Sequence, residues 1–197
     1  MNVNCLLFND FETLDLFGPV EVFGKVEEYS IKYYSMNGGN IISKQSASIN
    51  TENADTMGSG GILLIPGGKG TRTLVNDNEF LSKLKCMVEK SAWCLTVCTG
   101  AALLAKTGLL DNCQATTNKI AFVWVKSKGI KVNWQDKARW CVDKKYYTSS
   151  GISAGIDMSI GFVFDRFGAE KAKEITKMME YEWENNADKD PFVVGGN

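Results

Sequence analysis

The sequence contains no histidine among its 197 residues. Histidine is the usual proton carrier beside a nucleophilic cysteine or serine. Its absence excludes a Cys–His or Ser–His dyad within one chain, so a carboxylate, another side chain or water must move protons in any reaction here. The absence also removes a common zinc ligand, and we expect neither a metal nor a cofactor.

The sequence also lacks an excess of charge and long apolar runs. It has 22 basic and 23 acidic residues and a net charge of −1, which argues against a nucleic-acid partner or a polybasic membrane patch. No apolar run reaches the length of a membrane span, and the N-terminus lacks the basic start of a signal peptide. We expect one soluble domain over residues 1–197, with a polar, glycine-rich tail at 185–197.

Six cysteines are present, but their placement does not predict a disulfide framework. Cys5, Cys94 and Cys98 lie in or beside apolar runs, where reduced cysteine behaves as a small hydrophobic residue. A domain of this size does not need disulfides, so we expect reduced thiols and a cytoplasmic location. The Cys94–Cys98 spacing is wider than that of most zinc pairs, and we interpret Cys94 as a buried strand residue.

Predicted strands alternate with predicted helices, which indicates an α/β fold with a mostly parallel sheet covered on both faces. Strands are predicted at 3–8, 29–36, 61–65 and 92–97, with short ones near 130, 140 and 147. Helices are predicted at 16–26, 78–90, 99–106, 118–127, 150–167 and 169–184. Ligand sites in such folds lie beyond the carboxyl ends of the strands. We therefore expect the loops 10–18, 67–71 and 98–100 to converge.

The sequence around Cys98 has the form of a nucleophile elbow, a sharp turn between a strand and a helix. An apolar run ends at Cys98, Thr99 and Gly100 follow, and a helical pattern begins. A helix N-terminus favours the thiolate form of cysteine, so we expect Cys98 to be the most reactive of the six. The alternative is a buried structural thiol in a tight turn.

Asp15 and the loop of Gly67 and Gly68 each have two interpretations. Asp15 either caps a helix or faces the cysteine from the same edge of the sheet. The glycine loop lacks the spacing of a phosphate-binding loop. It either brings main-chain N–H groups close to a substrate atom or is a simple turn. The Thr116-Thr117-Asn118 segment is interpreted mainly as a cap for the helix that follows it.

Five motifs carry a family resemblance along nearly the whole chain: LDLFGP at 14–19, IPGG at 65–68, VCTG at 97–100, ATT at 115–117 and GISAGID at 151–157. Their order resembles the DJ-1/PfpI (ThiJ/PfpI) family of the class I glutamine amidotransferase-like superfamily, and within it the isonitrile hydratase branch. The resemblance implies a flavodoxin-like three-layer α/β sandwich, a homodimer and a reactive cysteine at the elbow.

The resemblance also implies roles for individual residues. Cys98 would be the nucleophile and Asp15 its acidic partner. Five residues would line the substrate site: Gly67, Gly68, Thr99, Gly100 and Ile152. In isonitrile hydratases the cysteine attacks the isonitrile carbon and the aspartate positions water or protons, which yields an N-substituted formamide.

Two departures from the relatives bear on function. Thr99 stands where the peptidase-like members have histidine, and Asn118 stands where other relatives have histidine. The first hypothesis is therefore a cytoplasmic hydro-lyase with a small-molecule substrate, of the isonitrile hydratase kind. The alternative is a non-enzymatic sensor of an oxidant or small molecule, in which Cys98 is oxidised. A peptidase or amidase is the third hypothesis.

Overall fold

The computed structural model describes residues 1–193, and its centre is an eight-stranded sheet. The strands are β1 (Asn2–Leu6), β2 (Ser30–Ser35), β3 (Gly39–Ile42), β4 (Ser48–Asn53), β5 (Ile62–Ile65), β6 (Trp93–Thr96), β9 (Trp140–Asp143) and β10 (Tyr146–Ser149). They lie in the order β3-β4-β2-β1-β5-β6-β10-β9. A separate parallel pair is formed by β7 (Gln114–Ala115) and β8 (Asn133–Trp134).

The central strands of the sheet, from β4 to β10, are parallel, and β3 and β9 add antiparallel edges. Strands β2, β4 and β3 lie on one side of β1 in the sheet. Strand β5 lies on the other side of β1 and is followed by β6, β10 and β9. The strand order therefore reverses between β1 and β5, and the loops that follow these two strands flank the crevice where such sheets bind ligands.

Seven helices connect the strands over residues 1–193: α1 (Thr13–Phe23), α2 (Thr71–Leu74), α3 (Asn78–Lys90), α4 (Gly100–Lys106), α5 (Phe122–Lys126), α6 (Ala154–Phe167) and α7 (Ala169–Met178). One group packs α1 against α6 and α6 against α7, while α2, α3 and α5 pack against α4. The predicted α/β sandwich with a mostly parallel sheet is confirmed.

The core elements follow from sequence pattern and local capping. All four residues of β5 are buried, as expected for a strand covered on both faces. The side chain of Asp77 accepts a hydrogen bond of 3.0 Å from the Phe80 N–H and caps α3. The buried residues of α3 recur at helical spacing: Phe80, Leu81, Leu84, Met87 and Val88. This helix has the bounds that its periodicity predicted.

Helix α1 begins at Thr13, three residues before the predicted start, and this changes the interpretation of Asp15. Asp15 lies within the first turn, and the residue at the N-cap position is Glu12, whose side chain makes no capping hydrogen bond. The capping interpretation of Asp15 is therefore wrong. Its carboxyl group is free to bind a partner outside the helix.

Later elements are shorter than predicted. The helix expected at 118–127 is reduced to α5, since Asn118 instead accepts a hydrogen bond of 2.9 Å from the Ala121 N–H in the preceding turn. The strand expected near Ile130 is the two-residue β8, and the last helix ends at Met178 instead of 184.

Residues 179–193, here called the C-terminal strap, pack against the domain. The carbonyl of Ala187 accepts hydrogen bonds from the N–H groups of Arg139 and Trp140, and Asp190 is buried. The polar, glycine-rich tail predicted at 185–197 thus packs on the domain over 185–193, and residues 194–197 lie outside the described part.

Candidate active site

The elbow places Cys98 between β6 and α4 with a backbone φ of 55°. This left-handed conformation costs a residue other than glycine about 1–2 kcal/mol. Two hydrogen bonds hold it: the Cys98 N–H donates to the carbonyl of Ser150 at 3.1 Å, and the Thr117 hydroxyl donates to the carbonyl of Cys98 at 2.7 Å. The turn is therefore fixed by two segments that follow it in the chain.

Two glycines allow the surrounding backbones to approach closely. A Cβ atom at Gly100 would lie 2.5 Å from the carbonyl oxygen of Ile65, so α4 starts against the end of β5 only because this residue has no side chain. A Cβ atom at Gly67 would lie 2.6 Å from the Thr99 nitrogen and 2.8 Å from Asp15 Oδ2. Gly67 therefore brings three loops together at one point.

Asp15 is fully buried beside the elbow, and its Oδ2 accepts a hydrogen bond of 2.9 Å from the Gly67 N–H. Burial raises the pKa of Asp15 to about 7; the Gly67 N–H lowers it, the charge of Glu12 raises it and the neighbouring Cys98 thiol lowers it. Oδ1 is buried without a hydrogen-bond partner. Asp15 thus faces the cysteine as a carboxyl group that changes charge near neutral pH.

The Cys98 thiol is only 8% exposed. Burial and then the charge of Asp15 raise its pKa above the ordinary value, although the N–H groups of Thr99 and Ile152 and the Thr99 hydroxyl lower it. Lost solvation therefore opposes the thiolate that the helix N-terminus favours. Cys86 is exposed, so a small alkylating reagent should reach it before Cys98.

Asp15 and Cys98 form a coupled acid pair. The carboxyl group loses its proton near pH 7, and the thiol keeps its own proton because burial and the neighbouring negative charge both oppose the thiolate. Near neutral pH, transfer of that proton from the sulfur to Asp15 produces a thiolate without changing the charge of the pair. This arrangement can activate a cysteine without histidine.

Thr99 connects the glycine loop to the elbow. Its Oγ1 accepts hydrogen bonds from the Gly68 N–H at 3.0 Å and from the Thr71 hydroxyl at 3.2 Å. The N–H groups of Gly67 and Gly68 thus both donate hydrogen bonds to protein side chains, although the glycine pattern favoured their approach to a substrate atom. In this structure they position Asp15 and Thr99.

Ile152 lies in the loop between β10 and α6, where it has a positive φ of 32° and is partly exposed. Its N–H lowers the pKa of the Cys98 thiol. All seven residues predicted for the site therefore lie around one elbow: Asp15, Gly67, Gly68, Cys98, Thr99, Gly100 and Ile152. Sequence reasoning missed the support from Thr71, Thr117 and Ser150, because only tertiary contacts bring those residues to the site.

Other kinds of site find no support in the described residues. Across residues 1–193, no three side chains of histidine, cysteine, aspartate or glutamate are grouped in a way that would hold a metal ion. Within the same range, every helix is too short or too polar to cross a bilayer. All six cysteines are unpaired.

Comparison with known proteins places this geometry in context. Residues 1–163 match the model of the DJ-1/PfpI family. The chain is 25% identical over 183 residues to an isonitrile hydratase of Pseudomonas putida, an alignment that covers 92% of this chain and 78% of that protein. It is 23% identical over 191 residues to the HTH-type transcriptional regulator GbdR of Pseudomonas aeruginosa, covering 92% of this chain and 51% of the regulator. The chain thus spans about half of that relative's length.

Solved structures share the fold. A THiJ/PfpI family protein from Pseudomonas syringae superposes with a TM-score of 0.81 at 24% identity, over 99% of this chain and 78% of that one. DJ-1beta of Drosophila melanogaster gives a TM-score of 0.77 at 16% identity, over 92% of this chain and 98% of that one. At these identities the superpositions show a common architecture.

Proposed function

Because the chain belongs to the DJ-1/PfpI family, we propose that Cys98 is the nucleophile of an enzyme that adds water to a small electrophilic carbon, such as that of an isonitrile. The observation that carries this proposal is the complete burial of Asp15 beside the Cys98 elbow, which raises the pKa of its carboxyl group to about 7. A general base is most effective when its pKa lies near the working pH. The similarity to an isonitrile hydratase supports the same chemistry.

The reaction begins with addition of the thiol to an isonitrile, R–N≡C. A bond forms between the Cys98 sulfur and the terminal carbon, while the thiol proton passes through Asp15 to that carbon and gives the thioimidate Cys–S–CH=N–R. The N–H groups of Thr99 and Ile152 stabilise the charge on sulfur during this step.

Hydrolysis completes the cycle without any change in oxidation state of the protein. Water adds to the C=N bond, with its oxygen on carbon and a proton on nitrogen. The C–S bond then breaks, the hydroxyl proton returns through Asp15 to the sulfur, and the formamide R–NH–CHO leaves. One water is consumed for each isonitrile, and Cys98 is regenerated as a thiol.

The test is accumulation of formamide. We expect many turnovers per protein with a simple aryl or alkyl isonitrile, measured by chromatography or NMR. Cys98→Ala should abolish turnover and Asp15→Asn should reduce it strongly, while Cys86→Ala should leave it unchanged because Cys86 lies on an exposed face of α3. An isonitrile panel that yields no formamide would exclude this function.

A sensor is the second candidate, and the N–H groups of Thr99 and Ile152, which lower the pKa of the Cys98 thiol, favour it. The same donors would stabilise an oxidised sulfur, and an oxidant needs no substrate pocket. The match to about half of a transcriptional regulator agrees with a sensing role. Clean oxidation of Cys98 by dilute peroxide, seen by mass spectrometry together with no formamide, would favour the sensor.

A peptidase or amidase is the third candidate. Amide cleavage requires protonation of a leaving amine, and within this chain the acid beside Cys98 is Asp15. Release of a fluorophore from peptide or amide substrates, lost in Cys98→Ala, would support this function over hydration.

Family membership also supports two proposals about the protein as a whole: it is a homodimer, and it acts in the cytoplasm. Light scattering across a range of concentrations tests the first proposal, and a mass of one chain at all concentrations would exclude it. Fractionation of cells that produce the untagged protein tests the second.

A further inference from the structure

A cavity of about 190 Å³ opens beside the loop that carries Ile152. Its apolar walls are formed by Ile120, Ile152 and Phe192. Asn118 and Gly151 also line the cavity. Lys119 is the charged residue of the lining, but its ammonium group donates to the carbonyl of Ala138 and to the Thr116 hydroxyl. The cavity therefore suits an uncharged, apolar group.

The cavity adjoins the nucleophile through two residues. The carbonyl of Ser150, which also lines the cavity, accepts the hydrogen bond from the Cys98 N–H, and Ile152 lies two residues further along the same loop. A substituent on the carbon that Cys98 attacks therefore lies within reach of the Ile152 side chain. The cavity continues the site already described.

The apolar residues around the cavity are unusually exposed. Ile120 is 93% exposed, Phe192 is 69% exposed and Ile152 is 38% exposed. Single exposed apolar residues are ordinary, but a group of them around a concavity marks a binding surface.

Phe192 is held at the cavity by the C-terminal strap. The N–H of Phe192 donates to Asp190 Oδ1 at 2.9 Å, and the buried Asp190 side chain lies 3.7 Å from Arg139 Nη1 and 3.9 Å from Lys119 Nζ. The carbonyl of Arg139 accepts a hydrogen bond of 2.8 Å from the Ser150 N–H. The strap is thus anchored to the residue that supports the loop of the elbow.

We propose that Ile120, Ile152 and Phe192 form a subsite for the apolar substituent of the compound that Cys98 attacks. This inference rests on the proposed function and names its substrate class. Apolar cavities of about 150 Å³ bind benzene in other proteins. We therefore expect the 190 Å³ cavity to hold a single six-membered ring better than two fused rings.

The test uses the thiol chemistry of Cys98 apart from turnover. N-ethyl-, N-phenyl- and N-naphthylmaleimide each add to a thiol, with a new S–C bond on one alkene carbon and the proton on the other. Exposed Cys86 in the same molecule reports the intrinsic reactivity of each reagent. We expect the ratio of Cys98 to Cys86 labelling, measured by mass spectrometry, to be about tenfold higher for phenyl than for ethyl and to fall again for naphthyl.

Two substitutions remove the walls of the subsite. Phe192→Ala and Ile120→Ala should each reduce the preference for phenyl over ethyl about fivefold. Ile130→Ala is the matched control, since Ile130 is also exposed but lies outside the cavity lining. Unchanged selectivity in both subsite variants, or no labelling of Cys98 by any of the maleimides, would overturn the proposal.

The outcomes separate this inference from the proposed function. If Phe192→Ala and the unsubstituted protein both produce formamide with the same phenyl-to-ethyl preference, the subsite is overturned and the proposed function stands. If labelling is selective and depends on Phe192 but no isonitrile gives formamide, the subsite is supported and the hydratase function is excluded. Selectivity that disappears on dilution but survives Phe192→Ala would assign the cavity to contact with a second copy and overturn the subsite.

Discussion

The carboxyl group of Asp15 and the N–H of Gly67 are joined by a buried hydrogen bond of 2.9 Å. The bond links the first turn of α1 to the loop after β5, the two segments that flank the reversal of strand order. It occupies Oδ2, while Oδ1 is buried without a hydrogen-bond partner. One hydrogen bond thus fixes the orientation of the acid relative to the nucleophile.

Asp15→Asn should stabilise the folded protein at pH 8. Burial raises the folded-state pKa of Asp15 from 3.8 to about 7, so between these values the folded state holds a proton that the unfolded state has lost. The free energy of unfolding therefore falls as pH rises from about 4 to 7. One pKa unit corresponds to about 1.4 kcal/mol, so the shift of about three units sets an upper limit of about 4 kcal/mol on the stability that an uncharged Asn adds at pH 8.

Urea unfolding of the two proteins at pH 8 and pH 4 measures this effect. Asn can still accept the Gly67 hydrogen bond, so the substitution removes mainly the charge. The gain in stability should be largest at pH 8 and small at pH 4. An equal gain in the free energy of unfolding at both pH values would mean that Asp15 is not buried as a titrating acid.

Asp15 should also set the pH dependence of Cys98 chemistry. Below pH 7 the protonated carboxyl cannot accept the thiol proton, so formation of the thiolate should decrease about tenfold per pH unit. Rates of Cys98 modification by N-phenylmaleimide between pH 5 and 9, compared in the unsubstituted protein and Asp15→Asn, measure this. A profile without an inflection near 7, or the same inflection in Asp15→Asn, would contradict the role of Asp15 as the base.

Some parts of the site could be predicted from sequence because their signals are local. The elbow is a local pattern, an apolar strand that stops at Cys98 before Gly100 and a helix. The convergence of Asp15, Gly67 and Cys98 follows from the rule that sites lie at the carboxyl ends of parallel strands. The amphipathic pattern of α3 likewise predicted its bounds.

Properties that depend on tertiary contacts could not be predicted in this way. The helix N-terminus favours a thiolate at Cys98, but the burial that opposes it comes from packing. The strap looked like a tail, because its anchor, Asp190, meets Arg139 and Lys119 only in the folded chain. The sequence allows Asp15 either to cap a helix or to face Cys98, and the start of α1 at Thr13 decides between the two.

Asp190→Asn should loosen the C-terminal strap. The substitution removes the negative charge that lies between Arg139 and Lys119 in a buried setting. Removing one member of a buried ion pair typically costs about 3–5 kcal/mol, and because these separations are long we expect about 2 kcal/mol. Denaturant unfolding should show this loss.

Limited chymotrypsin digestion should show faster cleavage after Tyr181 or Trp183 in the same variant. The matched control is Asp188→Asn, because Asp188 is exposed on the same strap. The control should stay within about 0.5 kcal/mol of the unsubstituted protein. Equal effects of the two substitutions would show that the buried charge does not anchor the strap.

Cys98→Gly should be more stable than Cys98→Ala, the reverse of the ordinary order. Both substitutions remove the thiol, but alanine keeps the left-handed strain of a residue with a φ of 55° and glycine relieves it. The strain of about 1–2 kcal/mol exceeds the 0.5–1 kcal/mol that glycine usually costs, so glycine should be favoured by about 1 kcal/mol.

The pair Cys94→Gly and Cys94→Ala, at a buried position of β6, provides the control and should show alanine as the more stable residue. Urea unfolding of the four variants measures both differences. Alanine as stable as glycine at position 98 would mean that the elbow stores no backbone strain and that Cys98 is presented to substrate by an ordinary turn.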